Sequence, residues 1–373
     1  MTARAELSEA PHSPLFAPVS INGLHLQNRL VVAPMTRVSA TNEGFVTNAM
    51  LRYYERFAKG GFGLVITEGI YTDQAFSQGY RNQPGLSDLA QAKAWRNVTD
   101  TVHAAGGKIV AQLMHAGALS QFNRFRDHSV GPSAVQPKGQ QMRIYRGAGD
   151  YRLPREISQE EICQVIEGFA RAATFAIEVA GFDGVEVHGA NGYLLDQFLT
   201  DYTNRRTDEW GGCVEDRIRL TSEVTQRVRR AIGSTVPLGV RISQAKVNDY
   251  THKWSGTQDD AAIIFGALAA ADADYIHVTE FEAWRPAFED GAASLVSLAR
   301  KRAPTAIVIA NGNLHDPAMA EAMLDQGADL IALGRGALSN PNWPHRVRTG
   351  QALTDFDPAL LSPLGDIKPC EQI

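Results

Sequence analysis

The sequence predicts an α/β protein folded as one (β/α)8 TIM barrel, with an N-terminal arm and a long capping loop after strand three. Eight short β-branched runs alternate with longer stretches of helical periodicity. Most of these runs are apolar throughout, as strands covered on both faces must be. No break in composition divides the 373 residues into two units. An open, doubly wound sheet is the alternative architecture.

The strands are expected near residues 30–33, 63–68, 108–114, 183–188, 237–242, 274–279, 306–310 and 329–334. The helix before strand four has the clearest boundaries. Ser158 and Glu161 have capping-box spacing, in which each side chain satisfies a free N–H of the first turn, and Gly181 marks the stop. Between them Ile162, Val165, Ile166, Phe169, Ala173, Ala176 and Ile177 recur at helical spacing and give one apolar stripe. Comparable patterns cover 88–105, 215–232, 259–271 and 317–326. The expected division is an arm over 1–14, a barrel domain over 15–355 and a C-terminal tail over 356–373. The segment 116–155 exceeds what a barrel connection needs, and a loop of that length is expected to form part of a lid.

Composition excludes several classes of function. A net charge of -5 without a long basic run argues against a nucleic-acid partner. Cys163, Cys213 and Cys370 lie far apart, which is not the spacing of a disulfide scaffold, a zinc site or an iron–sulfur cluster, and fits a reducing cytoplasm. The longest apolar stretch, 261–271, is far too short to span a bilayer, so no membrane association is expected. The first residues carry Glu6 and Glu9 and do not read as a signal peptide.

In a barrel, chemistry belongs at the carboxyl ends of the strands. Here those ends are polar: Ala33-Pro34-Met35-Thr36-Arg37, Gln112 with His115, His188 with Asn191 and Tyr193, Arg241, Asn311-Gly312-Asn313 and Gly334-Arg335. Gly312 and Gly334 begin the loops after strands seven and eight, where barrels often hold a phosphate on backbone N–H groups, and Arg335 would supply the counter-charge. Tight turns and a surface ion pair are the plainer reading. Gln112 and Arg241 could donate to the polar edge of a heterocycle, or Arg241 could pair with a barrel carboxylate such as Glu186. His188 and Asn191 could converge on a carbonyl oxygen, with Tyr193 as a proton donor; a metal site or a structural His with a packed Tyr compete with that reading. Tyr250, Trp254, Phe281 and Trp284 could wall a pocket or pack beneath loops. A lyase with a Schiff-base lysine would depend on Lys246.

Taken together, these motifs resemble the old yellow enzyme family of FMN-dependent oxidoreductases. The resemblance runs from Leu26-Gln27-Asn28-Arg29 to Asn340-Pro341. Its most specific parts are Ala33-Pro34-Met35-Thr36-Arg37, His188-x-x-Asn191-x-Tyr193-Leu194, the run from Asn204 to Arg217, and Gly334-Arg335. It implies non-covalently bound FMN, NADPH or NADH as hydride donor, and an α,β-unsaturated carbonyl or nitro compound as substrate. It implies that Ala33, Pro34, Met35, Thr36 and Gly69 line the flavin, Gln112 its pyrimidine edge, and Arg241 its N1 and C2 carbonyl region. Gly312, Asn313, Gly334 and Arg335 would hold the phosphate, His188 and Asn191 the activating group of the substrate, and Tyr193 would be the proton donor. The Asn204 to Arg217 run would be structural.

Three departures accompany it. Thr36 stands where some branches carry Cys, Asn191 where others carry His, and Asp216 where Asn is common. An appended iron–sulfur and second flavin domain, found in larger relatives, is not expected. A monomer and a homo-oligomer are equally compatible with the sequence.

Overall fold

Asn28 ties the first barrel strand to the second. Its carboxamide oxygen accepts from the backbone N–H groups of Leu30 and Gly63, each at 3.0 Å, and its Nδ2 donates to the Gly61 carbonyl at 2.8 Å. In the computed structural model, which describes residues 13–289 and 291–372, eight parallel strands follow from this start. They are β1 (Leu30–Val32), β2 (Leu64–Ile66), β3 (Ile109–Met114), β4 (Gly184–Asn191), β5 (Leu238–Lys246), β6 (Tyr275–Thr279), β7 (Ile307–Asn311) and β8 (Leu330–Leu333).

Each pairs with the next in sequence, and β8 pairs with β1, Ile331 opposite Leu30. The sheet is closed, so the open doubly wound alternative is set aside. A two-residue strand, Ile70–Tyr71, adds to the end of β3. Among the described residues no helix is long and apolar enough to cross a membrane.

Two apolar layers follow from strand alternation. One lies between the sheet and the outer helices and includes Phe57, Trp95, Phe169, Val224 and Phe265. The other fills the barrel with Val31, Leu64, Val110, Tyr275, Ile309 and Leu330. The antiparallel hairpin of Val19–Ile21 and Leu24–Leu26 contributes Ile21 and Leu26 to that inner layer. Gly239 is required opposite Tyr275: a Cβ there would sit 2.0 Å from the tyrosine ring.

The outer helices are α1 (Asn48–Lys59), α2 (Leu89–Ala104), α3 (Gln159–Thr174), α4 (Val214–Ile232), α5 (Gln258–Ala270), α6 (Leu295–Arg302) and α7 (Pro317–Asp325). The Ser158 and Glu161 capping box forms: the Glu161 N–H donates to Ser158 Oγ at 3.2 Å and the Ser158 N–H to Glu161 Oε2 at 2.9 Å. The chain continues through a π-helical turn, Phe175–Ala180, and stops at Gly181 with φ +76°. Ser158→Ala should cost about 1 kcal/mol of stability, the usual value of an N-cap, read from the shift of a urea unfolding midpoint.

The expected arm over 1–14 lies outside the described residues except for Ser13 and Pro14, where Pro14–Phe16 forms a 3-10 turn with the Ser13 side chain as its cap. The tail expected over 356–373 is fastened to the barrel. Arg37, just beyond β1, donates to Glu371 through Nη1 at 2.6 Å and Nη2 at 2.5 Å, and to the Gly365 and Asp366 carbonyls. Arg56 of α1 reaches the same carboxylate at 3.1 Å. The long loop after β3 carries a short parallel pair, Val130–Gly131 with Arg155–Glu156, and a 3-10 turn at Arg143–Tyr145.

Candidate active site

Strand register assembles a polar belt across the mouth of the barrel. Gln112 stands opposite Glu186, His188 opposite Arg241, Arg241 opposite His277, and Thr279 opposite Asn311. All of these side chains but His188 are bonded in two groups. Glu186 accepts from Gln112 Nε2 at 2.8 Å and lies 2.9 Å from His277 Nδ1. Arg241 Nη2 donates to Thr279 Oγ1 at 3.2 Å and to Asn311 Oδ1 at 2.9 Å. Glu186 is therefore not the hydrogen-bond partner of Arg241, and the ion pair considered from sequence does not form.

Arg241 Nε is buried without a partner. Burial lowers the Arg241 pKa to about 10, with the charge of Glu186 acting in the opposite direction, so the guanidinium stays charged at neutral pH. A buried cation with an unmet donor is a place for an anionic or carbonyl-rich ligand.

The turn after β4 is shaped by its own residues. Asn191 adopts φ +63°, a left-handed conformation that Asn tolerates better than most side chains, and Gly192 follows at φ +86°. The Asn191 N–H donates to Ser243 Oγ at 2.9 Å, and the Gly192 N–H donates to Asp196 Oδ2 at 2.6 Å. Lys246 clamps that carboxylate with Nζ at 2.8 and 2.9 Å. The lysine on which a Schiff-base lyase would depend is thus a buried structural cation.

Tyr193 ends the turn with its ring edge-on to His188, centroids 5.0 Å apart. His188 Nδ1 accepts from the Ala190 N–H at 3.4 Å. Burial, then the charges of Arg241 and His277, push its pKa well down. The neutral ring with Nδ1 as acceptor leaves Nε2–H as a donor. Tyr193 is raised by burial and keeps its proton.

A cavity of about 330 Å³ opens above the belt, within the size range of small-molecule sites. Ala33, Pro34, Met35, Thr36, Gly69, Gln112, His188, Asn191, Tyr193, Arg241, Gly334 and Arg335 all line it. Gly312 and Asn313 are not among its lining residues. Asn311 is. Gly312, at φ +144°, is needed by the fold, since a Cβ there would lie 2.2 Å from the Glu280 carbonyl. On the other side Gly334 is open, with only Met35 Sδ at 3.8 Å, so a ligand can approach its backbone closely. The unmet donor of Arg241, the uncrowded Gly334 beside Arg335 and the amide edge of Gln112 fit a flavin mononucleotide.

The sequence reading missed the lid and tail residues Met142, Ile144, Tyr145 and Leu361. Tyr250 lines the mouth and is 75% exposed. Trp254 is buried against Phe265, and Trp284 packs on the core, so packing accounts for these two. Phe281 is exposed. The Asn204 to Arg217 run braces its loop: Asn204 Nδ2 donates to the Phe198 and Trp210 carbonyls, and Arg217 Nε to the Leu199 carbonyl. Asp216 is an ion-pair partner of Arg219 on the helix surface.

Comparison with known proteins agrees with this geometry. Residues 14–354 match the model of the NADH:flavin oxidoreductase / NADH oxidase family. A flavin oxidoreductase of Emericella nidulans is 34% identical over 377 residues, covering 94% of each chain. The old yellow enzyme homologue from Zymomonas mobilis superposes with a TM-score of 0.84 at 32% identity, over 96% of this chain and 98% of that one. Morphinone reductase in complex with tetrahydroNAD gives 0.82 at 32% identity, over 93% of both chains. The chain therefore belongs to the NADH:flavin oxidoreductase / NADH oxidase family, the FMN-dependent enzymes of old yellow enzyme type.

Proposed function

We propose that this protein reduces the carbon–carbon double bond of α,β-unsaturated carbonyl or nitro compounds at the expense of NADPH or NADH. The observation that carries this reading is the convergence of a neutral His188, Asn191 and a protonated Tyr193 on the cavity that Arg241 and Gln112 also line. FMN, when bound, would supply the hydride chemistry that links the nicotinamide to the alkene.

The remaining tasks fall to the chain. Gly334 and Arg335 would hold the phosphate, Gln112 the pyrimidine edge, and Arg241 the carbonyl region that gains negative charge on reduction. His188 Nε2–H and the Asn191 carboxamide would donate to the substrate's carbonyl or nitro oxygen. Their donation draws electrons from the double bond and stabilises the enolate or nitronate that forms. Tyr193 would then release its proton to the α-carbon. Tyr250 at the mouth would meet the far end of the substrate and limit its size.

Purified protein is expected to be yellow and to release FMN on denaturation. Under anaerobic conditions NADPH should bleach it, and a cyclic enone should restore the colour while the saturated ketone appears. Bleaching that the enone never reverses would contradict the proposal.

A further inference from the structure

The Tyr193 hydroxyl does not face the cavity alone. It lies 2.5 Å from the hydroxyl of Tyr80, its one hydrogen-bond partner among the described residues. Tyr80 is fully buried, and its ring packs edge-on to Tyr193, with centroids 6.5 Å apart, and against Tyr145 at 5.0 Å.

The loop that carries Tyr80 is held firmly. Gln83 Oε1 accepts from the N–H groups of Gly79 at 2.8 Å and Tyr80 at 3.3 Å, and Gln83 Nε2 donates to the carbonyl of Gly69 at 2.8 Å. Gly69 lines the cavity. Tyr80 is thereby registered to the same wall as the reacting groups.

A phenol that gives up its proton in such a place becomes a buried anion. The surrounding Val38, Met114, Leu119 and Tyr151 offer it little solvation, and burial pushes the Tyr193 hydroxyl well above the usual phenol range. A donor already in contact would lower that cost, because hydrogen bonds to charged groups are stronger than those between neutral ones.

We propose that Tyr80 is a positioning residue for substrate protonation, its hydroxyl orienting Tyr193 and then donating to the Tyr193 oxygen as the phenolate forms. This rests on the reading of Tyr193 as proton donor. In the step, the Tyr193 O–H bond breaks with its electron pair left on oxygen. The enolate's electron pair forms the new α-carbon–hydrogen bond. The Tyr80 hydrogen bond carries no net charge in or out, and solvent water restores the Tyr193 proton between turnovers.

The test uses the FMN-loaded protein and its two half-reactions followed separately by stopped flow. Tyr80→Phe keeps the ring and removes the donor. It should slow reoxidation by 2-cyclohexenone about 10- to 100-fold, the worth of a hydrogen bond to a charged group. Reduction by NADPH should be unchanged. Reoxidation by a nitroalkene, whose nitronate needs no immediate proton, should also be unchanged, and the solvent deuterium isotope effect with cyclohexenone should rise. Fluorotyrosine at position 80 keeps the ring and strengthens the donor, so it should hold or raise the cyclohexenone rate.

Equal slowing with both substrates, no slowing in Tyr80→Phe, or slowing by fluorotyrosine would each overturn the inference. Tyr193→Phe run alongside separates the two ideas. If it leaves cyclohexenone reduction intact, the proton-donor reading fails and the Tyr80 inference with it; if only Tyr80→Phe is silent, the inference about Tyr80 fails alone.

Discussion

Tyr193→Phe is expected to lower the rate of reduction of weakly activated alkenes by about 10²- to 10⁴-fold, the range for loss of a positioned general acid. The Phe ring keeps the edge-on contact with His188, so the cavity should keep its shape. Reduction by NADPH needs no proton from this group and should proceed at the unmodified rate. Strongly activated nitroalkenes should lose little, since their hydride adducts persist long enough for water to protonate them. Product formation from 2-cyclohexenone and from a nitroalkene, measured side by side in the variant, checks both statements.

Glu371→Ala is expected to destabilise the protein by about 3–5 kcal/mol, the cost of removing one member of a buried ion pair and leaving the other uncompensated. Here two guanidinium groups are left, Arg37 and Arg56, both buried and both stacked on the Tyr53 ring. Equilibrium unfolding in urea checks the magnitude. The same contact predicts acid sensitivity. Burial alone would push the Glu371 carboxyl up, but hydrogen bonding and charge from Arg37, with Arg56 behind it, outweigh burial and hold it below its ordinary 4.5.

A carboxyl whose folded pKa is depressed adds stability that is fully present above the unfolded pKa and is lost as pH falls through the folded value. The unmodified protein should therefore lose stability below about pH 4.5, and Glu371→Gln should flatten that part of the profile. Leu361 and the contact of Gly365 with Ile144 lie on the same tail, so cavity and lid should loosen with it.

Much of this architecture was legible in residue order. The eight strand positions follow from apolar runs, because a parallel barrel buries both faces of each strand and leaves little room for polar positions. The inward polar exceptions, Gln112, His188 and Arg241, stood out for the same reason. Closure follows from the count of eight strand–helix steps without a break, although the pairing of β8 with β1 joins residues about three hundred positions apart and leaves no local signal of its own.

Helix α1 carries a stripe of Met50, Tyr53, Tyr54, Phe57 and Ala58 behind the Thr47 cap, a local signal as readable as those of the other outer helices. Gly312 and Asn313 follow from a rule of barrel position; the glycine is also required by the nearby Glu280 carbonyl, and Asn311 beside it lines the cavity. Tyr145 and Leu361 reach the cavity, and Tyr80 and Glu371 reach its lining residues Tyr193 and Arg37, through loops and the tail, whose path no periodicity encodes. The left-handed turn at Asn191 is different. Asn followed by Gly is a local signal for positive φ, and it accounts for an asparagine fitting at this position.

The central claim is a division of labour in which the hydride comes from the nicotinamide and the proton from Tyr193, replenished by solvent. Turnover of 2-cyclohexenone with unlabelled NADPH in D₂O, followed by NMR of the product, tests it most directly. One deuterium at the α-carbon and none at the β-carbon is the predicted result. Deuterium at the β-carbon, or no saturated product from the FMN-loaded protein, would contradict the account.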